Sequence, residues 1–171
     1  MKKNILIDKK QNMKSQLINL QETLRLIDTI KHASKAQRII SGLYSNPSLN
    51  QAYLFNEKHE VIASTRIKDI GKSIDNVLQG DFRNVIKKKN EISNVKRRSV
   101  LWETSATHTL HGISPIQLPQ YKNHVLHTYS TGTVYMSIDT SKGFEAKKHR
   151  LTYSFLIPVL VILVIGGALI V

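Results

Sequence analysis

The chain has 171 residues, a formal net charge of +13 and no cysteine. Without cysteine there is no disulfide framework, no thiol nucleophile and no thiolate metal site. The positive balance suits nucleic acid, anionic lipid or an acidic small ligand, but no zinc-finger spacing or aromatic-rich sheet motif accompanies it, and nucleic acid is not expected as a partner.

The opening MKKNILIDKK begins like a signal peptide, but its apolar stretch Ile5–Leu6–Ile7 is too short for an h-region. From about Lys10 to Tyr44 the pattern predicts one long helix, closed by Asn46–Pro47 and filling a segment 1–48. Met13, Leu17, Leu20, Leu24 and Ile27 recur at spacings of four and three; Ile30, Ala33, Ile40 and Leu43 follow after a phase shift. Such a stripe serves either as a coiled-coil seam between two subunits, hence an expected homodimer, or as one side of a helix laid on its own sheet.

The period then changes. AYLFNEKHEVIAST predicts two strands, Ala52 to Phe55 and Val61 to Ser64, around a polar turn. RIKDIGKSIDNVLQGDFRNVIKKKN reads as loop and short helix, with Ser73 or Asp75 able to cap. Further strands are expected near Ser99–Ser105, Thr109–Ile116, Val125–Ser130 and Val134–Ile138, with QLPQYKN as a loop and TGT as a turn. The fold class is therefore α+β, a long helix packed on a roughly five-stranded antiparallel sheet. Basic clusters at Lys87–Lys89 and Lys96–Arg98 read as solvated faces. The cluster Lys147–Arg150 forms a basic turn, 144–150, suited to lipid headgroups.

The last 21 residues, LTYSFLIPVLVILVIGGALIV, carry no charge. At about 1.5 Å per residue a helix over 151–171 crosses a hydrocarbon core of about 30 Å, so a single membrane span is expected. The pairs His108/His111 and His124/His127 are the one metal-like constellation. Residues three apart on a strand face opposite ways, which argues against chelation. No nucleophile elbow, phosphate loop or metalloprotease motif is present, so the domain is read as non-enzymatic and without cofactor.

YLFNEKHEVIASTRIKDIGKSI resembles the opening hairpin of Cache (PAS-like, PDC) sensor domains. LHGISPIQLP resembles a later strand of that family, and GTVYMSIDTSKGFEAKKHRLTYSFLIP resembles its last strand leading into the second membrane helix. The resemblance implies a sensor domain over 49–143, on the extracytoplasmic side of the inner membrane. The receptor would be of sensor histidine kinase, diguanylate cyclase or chemoreceptor type. It also implies a small ligand held between the later strands and the loops over the sheet. Arg98, Trp102, His111, His127 and Tyr129 lie on those stretches and supply guanidinium, imidazole and aromatic groups for an acidic ligand. Ligand binding would then shift the last strand and pass the shift into the membrane helix. The positive-inside rule, applied to the basic flank before Leu151, supports the alternative of a tail-anchored cytoplasmic adaptor that uses a coiled coil and basic patches for partner and lipid binding.

Overall fold

The computed structural model describes residues 2–27, 33–78, 84–88, 99–122 and 125–141. Arg98, the basic turn 144–150 and the apolar run 151–171 lie outside the described residues, as do His124 and the side chain of His127. Among the described residues no helix is long and apolar enough to cross a membrane. The elements run α1 (Lys2–Arg25), α2 (Ala33–Gly42), β1 (Leu49–Phe55), β2 (Val61–Ser64), α3 (Ile74–Leu78), β3 (Val100–Thr104), β4 (Thr109–Lys122) and β5 (Val125–Asp139). All five strands form one antiparallel sheet in the order β2-β1-β5-β4-β3. The first and last strands of the chain thus lie side by side at the centre.

Alternation along β4 and β5 divides the side chains between two faces. Leu110, Ile116 and Leu118 of β4 join Val134, Met136 and Ile138 of β5 in one apolar cluster with Met13, Leu17, Leu20 and Leu24 of α1 and Ala36 and Ile40 of α2. On the opposite face Tyr53, Phe55, Ile113 and Tyr135 pack with Ile74 and Leu78 of α3. The stripe Met13–Leu24 is therefore spent on the chain's own sheet, each residue contributing about 1.5–3 kcal/mol of burial. A homodimer would have to use other residues.

Three expectations are corrected. The single long helix is two, because the apolar stripe changes phase where α1 ends. Leu26 points outward at 78 % exposure, and Leu26 and Ile27 close the last turn on the carbonyls of Thr23 and Leu24. The second helix, α2, packs against β2. There the Gln37 side chain pairs with the Ser64 backbone at both ends, donating to its carbonyl at 2.7 Å and accepting from its N–H at 2.9 Å. A glutamine amide thus substitutes for a neighbouring strand at this edge.

QLPQYK continues β4 instead of forming a loop, and TGT lies inside β5 instead of turning the chain. Pro115 and Pro119 share one parity and pair in register with Thr133 and Tyr129, so the hydrogen bonds they forgo fall on the other edge of β4, where β3 pairing ends at Ile113. Gly132 is required by close approach: a Cβ there would come within 2.8 Å of the Phe55 carbonyl oxygen and 2.7 Å of Leu118 Cδ1. Gly112 makes the matching gap on β4, where a Cβ would stand 2.7 Å from Leu17 Cδ1 and 2.8 Å from Met13 Sδ.

Both glycines predict overpacking on substitution, with a ranking set by what must move. Gly112→Ala displaces flexible side-chain ends and is expected to cost about 1–3 kcal/mol. Gly132→Ala meets backbone as well and is expected to cost more. Urea denaturation of the two variants checks the order; equal or inverted losses would contradict the packing described.

Candidate functional site

The face away from α1 and α2 carries a row of rings that crosses four strands. Alternation in LNQAYLF and VYMSID places Tyr53 and Tyr135 on this face, directly opposite one another. His111 of β4 lies diagonal to Tyr135, and Trp102 of β3 lies opposite His111. Ring centroids are 5.7 Å apart for Phe55–Tyr53, 6.3 Å for Tyr53–Tyr135, 6.1 Å for Tyr135–His111 and 5.1 Å for His111–Trp102, the last pair nearly parallel at 6°. Offset stacking of this kind adds about 0.5–1.5 kcal/mol per pair beyond burial.

The rings are held by polar contacts that fix their planes. His111 shares its Nδ1 with the Tyr135 hydroxyl at 2.8 Å and its Nε2 with the Thr104 hydroxyl at 3.0 Å. A neutral imidazole donates on one side and accepts on the other, and both hydroxyls can take the complementary part. At the far end of the row the buried Tyr53 hydroxyl donates to Asp69 Oδ2 at 3.1 Å, while Lys72 Nζ donates to Asp69 Oδ1 at 2.8 Å. Burial, and then the Asp69 carboxylate it bonds, push the Tyr53 phenol up to about 12, against the opposing pull of Arg66. Burial would raise the Asp69 carboxyl, but its hydrogen bonds from Lys72 and Tyr53 outweigh that and hold it below the usual carboxylate range.

One donor in the row has no partner. Trp102 Nε1 is buried and hydrogen-bonds nothing among the described residues. A buried indole N–H ordinarily finds an acceptor, and none lies within reach of this one among the described residues.

Of the residues singled out in the sequence, Trp102 and His111 are brought into direct stacking contact. Tyr129 is not with them. It is 48 % exposed and lies eight residues along β5 from Ser137, the residue opposite His111, or about 27 Å. His127 is nearer still to the hairpin tip by its backbone. Arg98 lies outside the described residues. Sequence reasoning missed Tyr53, Tyr135, Thr104 and Asp69. The two tyrosines carried a usable signal: each stands alone between apolar neighbours of opposite parity, in Ala52-Tyr53-Leu54 and Val134-Tyr135-Met136. Among the described residues no three His, Cys, Asp or Glu side chains converge as a metal set. His108 is exposed in a left-handed turn, φ 48°, apart from buried His111.

No protein-family model matches the chain, and no curated protein sequence matches it. Among solved structures it is similar to the sensor domain of the V. cholerae histidine kinase DctB, at 11 % identity and a TM-score of 0.48 over 82 % of this chain and 52 % of that one. It is also similar to the E. coli DcuS sensor domain, at 10 % identity and a TM-score of 0.44 over 79 % of this chain and 94 % of that one. The chain thus spans about half the length of the first.

The raised Tyr53 value gives a signed prediction. Its stabilising contribution is complete below pH 10.0, the ordinary phenol value, and is lost as pH rises through about 12. A phenolate absorbance titration should show one tyrosine component near pH 12. Tyr53→Phe should remove that component and Asp69→Asn should lower it. Tyrosines that all ionise together at the ordinary value would contradict the Tyr53–Asp69 contact.

Proposed function

We propose that this chain is the extracytoplasmic ligand-sensing part of a membrane receptor, and that its ligand is a small molecule carrying an acidic group. The observation that carries this reading is the buried, unpartnered Trp102 Nε1 at the end of a ring row whose other polar atoms are already paired. An acceptor oxygen on the ligand would accept a hydrogen bond from that N–H, and the Trp102–His111 stack would supply the wall against which a planar carboxylate lies. The resemblance of the hairpin and last-strand motifs to Cache sensors supports the same assignment. The reading gives the domain no catalytic role.

Transmission follows from how the end of β5 is held. The Asp139 N–H donates to the Ser48 carbonyl at 2.8 Å, and Thr140 donates to the His108 carbonyl from its N–H at 2.7 Å and from its hydroxyl at 2.6 Å. Lys9 Nζ of α1 donates to the Asp139 and Thr140 carbonyls, each at 3.0 Å. A ligand that moves β4 against β3 at His111 would also move the β3–β4 turn, and His108 would carry the motion to Thr140. In this account the shift continues through the basic turn 144–150 into a membrane helix over 151–171, and biases a two-state output. Whether that output is a kinase, a cyclase or a chemoreceptor is set by regions beyond this domain.

Trp102 is the only tryptophan, so its emission reports on the site without background. A panel of small mono- and dicarboxylates titrated into the full chain should include a ligand that shifts this emission saturably. His111→Phe should weaken that ligand by about tenfold or more, as expected for loss of a hydrogen-bonded positioning group. A Trp102 emission that no panel member shifts saturably would sink the placement.

A further inference from the structure

The ring row ends at Tyr53, and beyond its hydroxyl the structure opens into a second feature that the sensing reading does not use. A cavity of about 470 Å³ lies between the β2–α3 connection and α3, and its mostly polar lining includes Arg66, Lys68, Asp69, Lys72 and Asn76. Three cations and one carboxylate line it, so three positive charges less one negative leave +2 around a single opening. Both oxygens of Asp69 are engaged, one by Lys72 and the other by Tyr53. The carboxylate therefore fixes the Lys72 ammonium at the wall, and its single negative charge, which Arg66 also feels, does not balance the three cations. Both of these are exposed, and no ion pair engages them among the described residues.

Bringing like charges together around a partly enclosed space is unfavourable unless something of opposite charge is added. The arrangement supplies what an anion needs. Arg66 offers a planar fork of donors and Lys68 a mobile point charge. Lys72 keeps two of its three ammonium protons for a ligand, and Asn76 adds an amide that can serve as a neutral donor. The surplus charge of +2 matches a ligand of charge −2. Because Asp69 bonds Tyr53, which stacks on Tyr135, the cavity and the ring row share a wall.

We infer that this cavity is a binding site for a small dianion, a dicarboxylate or a phosphate, separate from the Trp102–His111 site. Arg66 and Lys68 carry the recognition, and Lys72, held by Asp69, completes the cradle. The two possible sources share this chemistry and are told apart by the probes.

Isothermal titration of the full chain in detergent micelles, at constant ionic strength, with succinate, inorganic phosphate and acetate tests the assignment. Saturable binding of at least one dianion is expected, with acetate much weaker. In the double variant Arg66→Gln/Lys68→Gln that affinity should fall by about tenfold or more, since charge-assisted hydrogen bonds are lost. Both side chains are exposed, so the thermal transition by circular dichroism should be unchanged. Absence of saturable binding by both dianions overturns the site, and so does an unchanged affinity in the double variant. A Trp102 emission that answers to no carboxylate would instead count against the sensing reading and leave this cavity standing.

Discussion

The contact of Met13 and Leu17 with the space left by Gly112 settles what each face of the sheet does. A side chain at position 112 would run into the ends of Leu17 and Met13, and the close packing of α1 on β4 would be disturbed there. Because α1 seats closely, one face becomes the dry core and supplies the apolar burial that folding needs. The opposite face is then released from that duty. It can hold tyrosines, a histidine and a tryptophan whose polar atoms bond one another across the strands.

That division explains why the ring row tolerates buried polar groups. Each hydroxyl or imidazole nitrogen taken out of water without a partner costs about 1–3 kcal/mol, and here Tyr135, His111, Thr104, Tyr53 and Asp69 meet that cost pairwise. Pairing also fixes ring orientation, since Tyr135 and Thr104 hold the imidazole from its two nitrogens. The indole N–H of Trp102 breaks this pattern, having no acceptor among the described residues, and the proposed ligand contact is placed there for that reason.

Much of the architecture was legible because the apolar period changes cleanly from helix spacing to alternation. The stripe Met13–Leu24, the hairpin around NEKHE and the last strand VYMSI could be read directly. Two kinds of residue misled. The glycine and prolines of β4 and β5 looked like punctuation, yet Gly132 answers to a carbonyl on another strand and the prolines to an edge that β3 does not cover, facts that no local pattern contains. The break between α1 and α2 left only a phase shift as its trace. At the site, Trp102 and His111 were found from residue type, whereas Tyr53 and Asp69 meet across sixteen positions and depend on how the β2–α3 connection folds back. Tyr129 has the right chemistry but lies far along the hairpin.

Two accounts of the whole chain make opposite demands on where this domain sits. A sensor must meet its ligand outside the cytoplasm, while a tail-anchored adaptor would keep the same face inside and bind partners through a coiled-coil seam. Burial of that seam against the chain's own sheet favours the sensor. The direct measurement is topology. Single cysteines at Lys58 and Ser105, both exposed, are introduced into the complete gene product, where this chain contributes no cysteine of its own. Intact cells are then treated with a membrane-impermeant thiol reagent. The account predicts labelling of both positions before lysis; protection of both until the membrane is broken would contradict it.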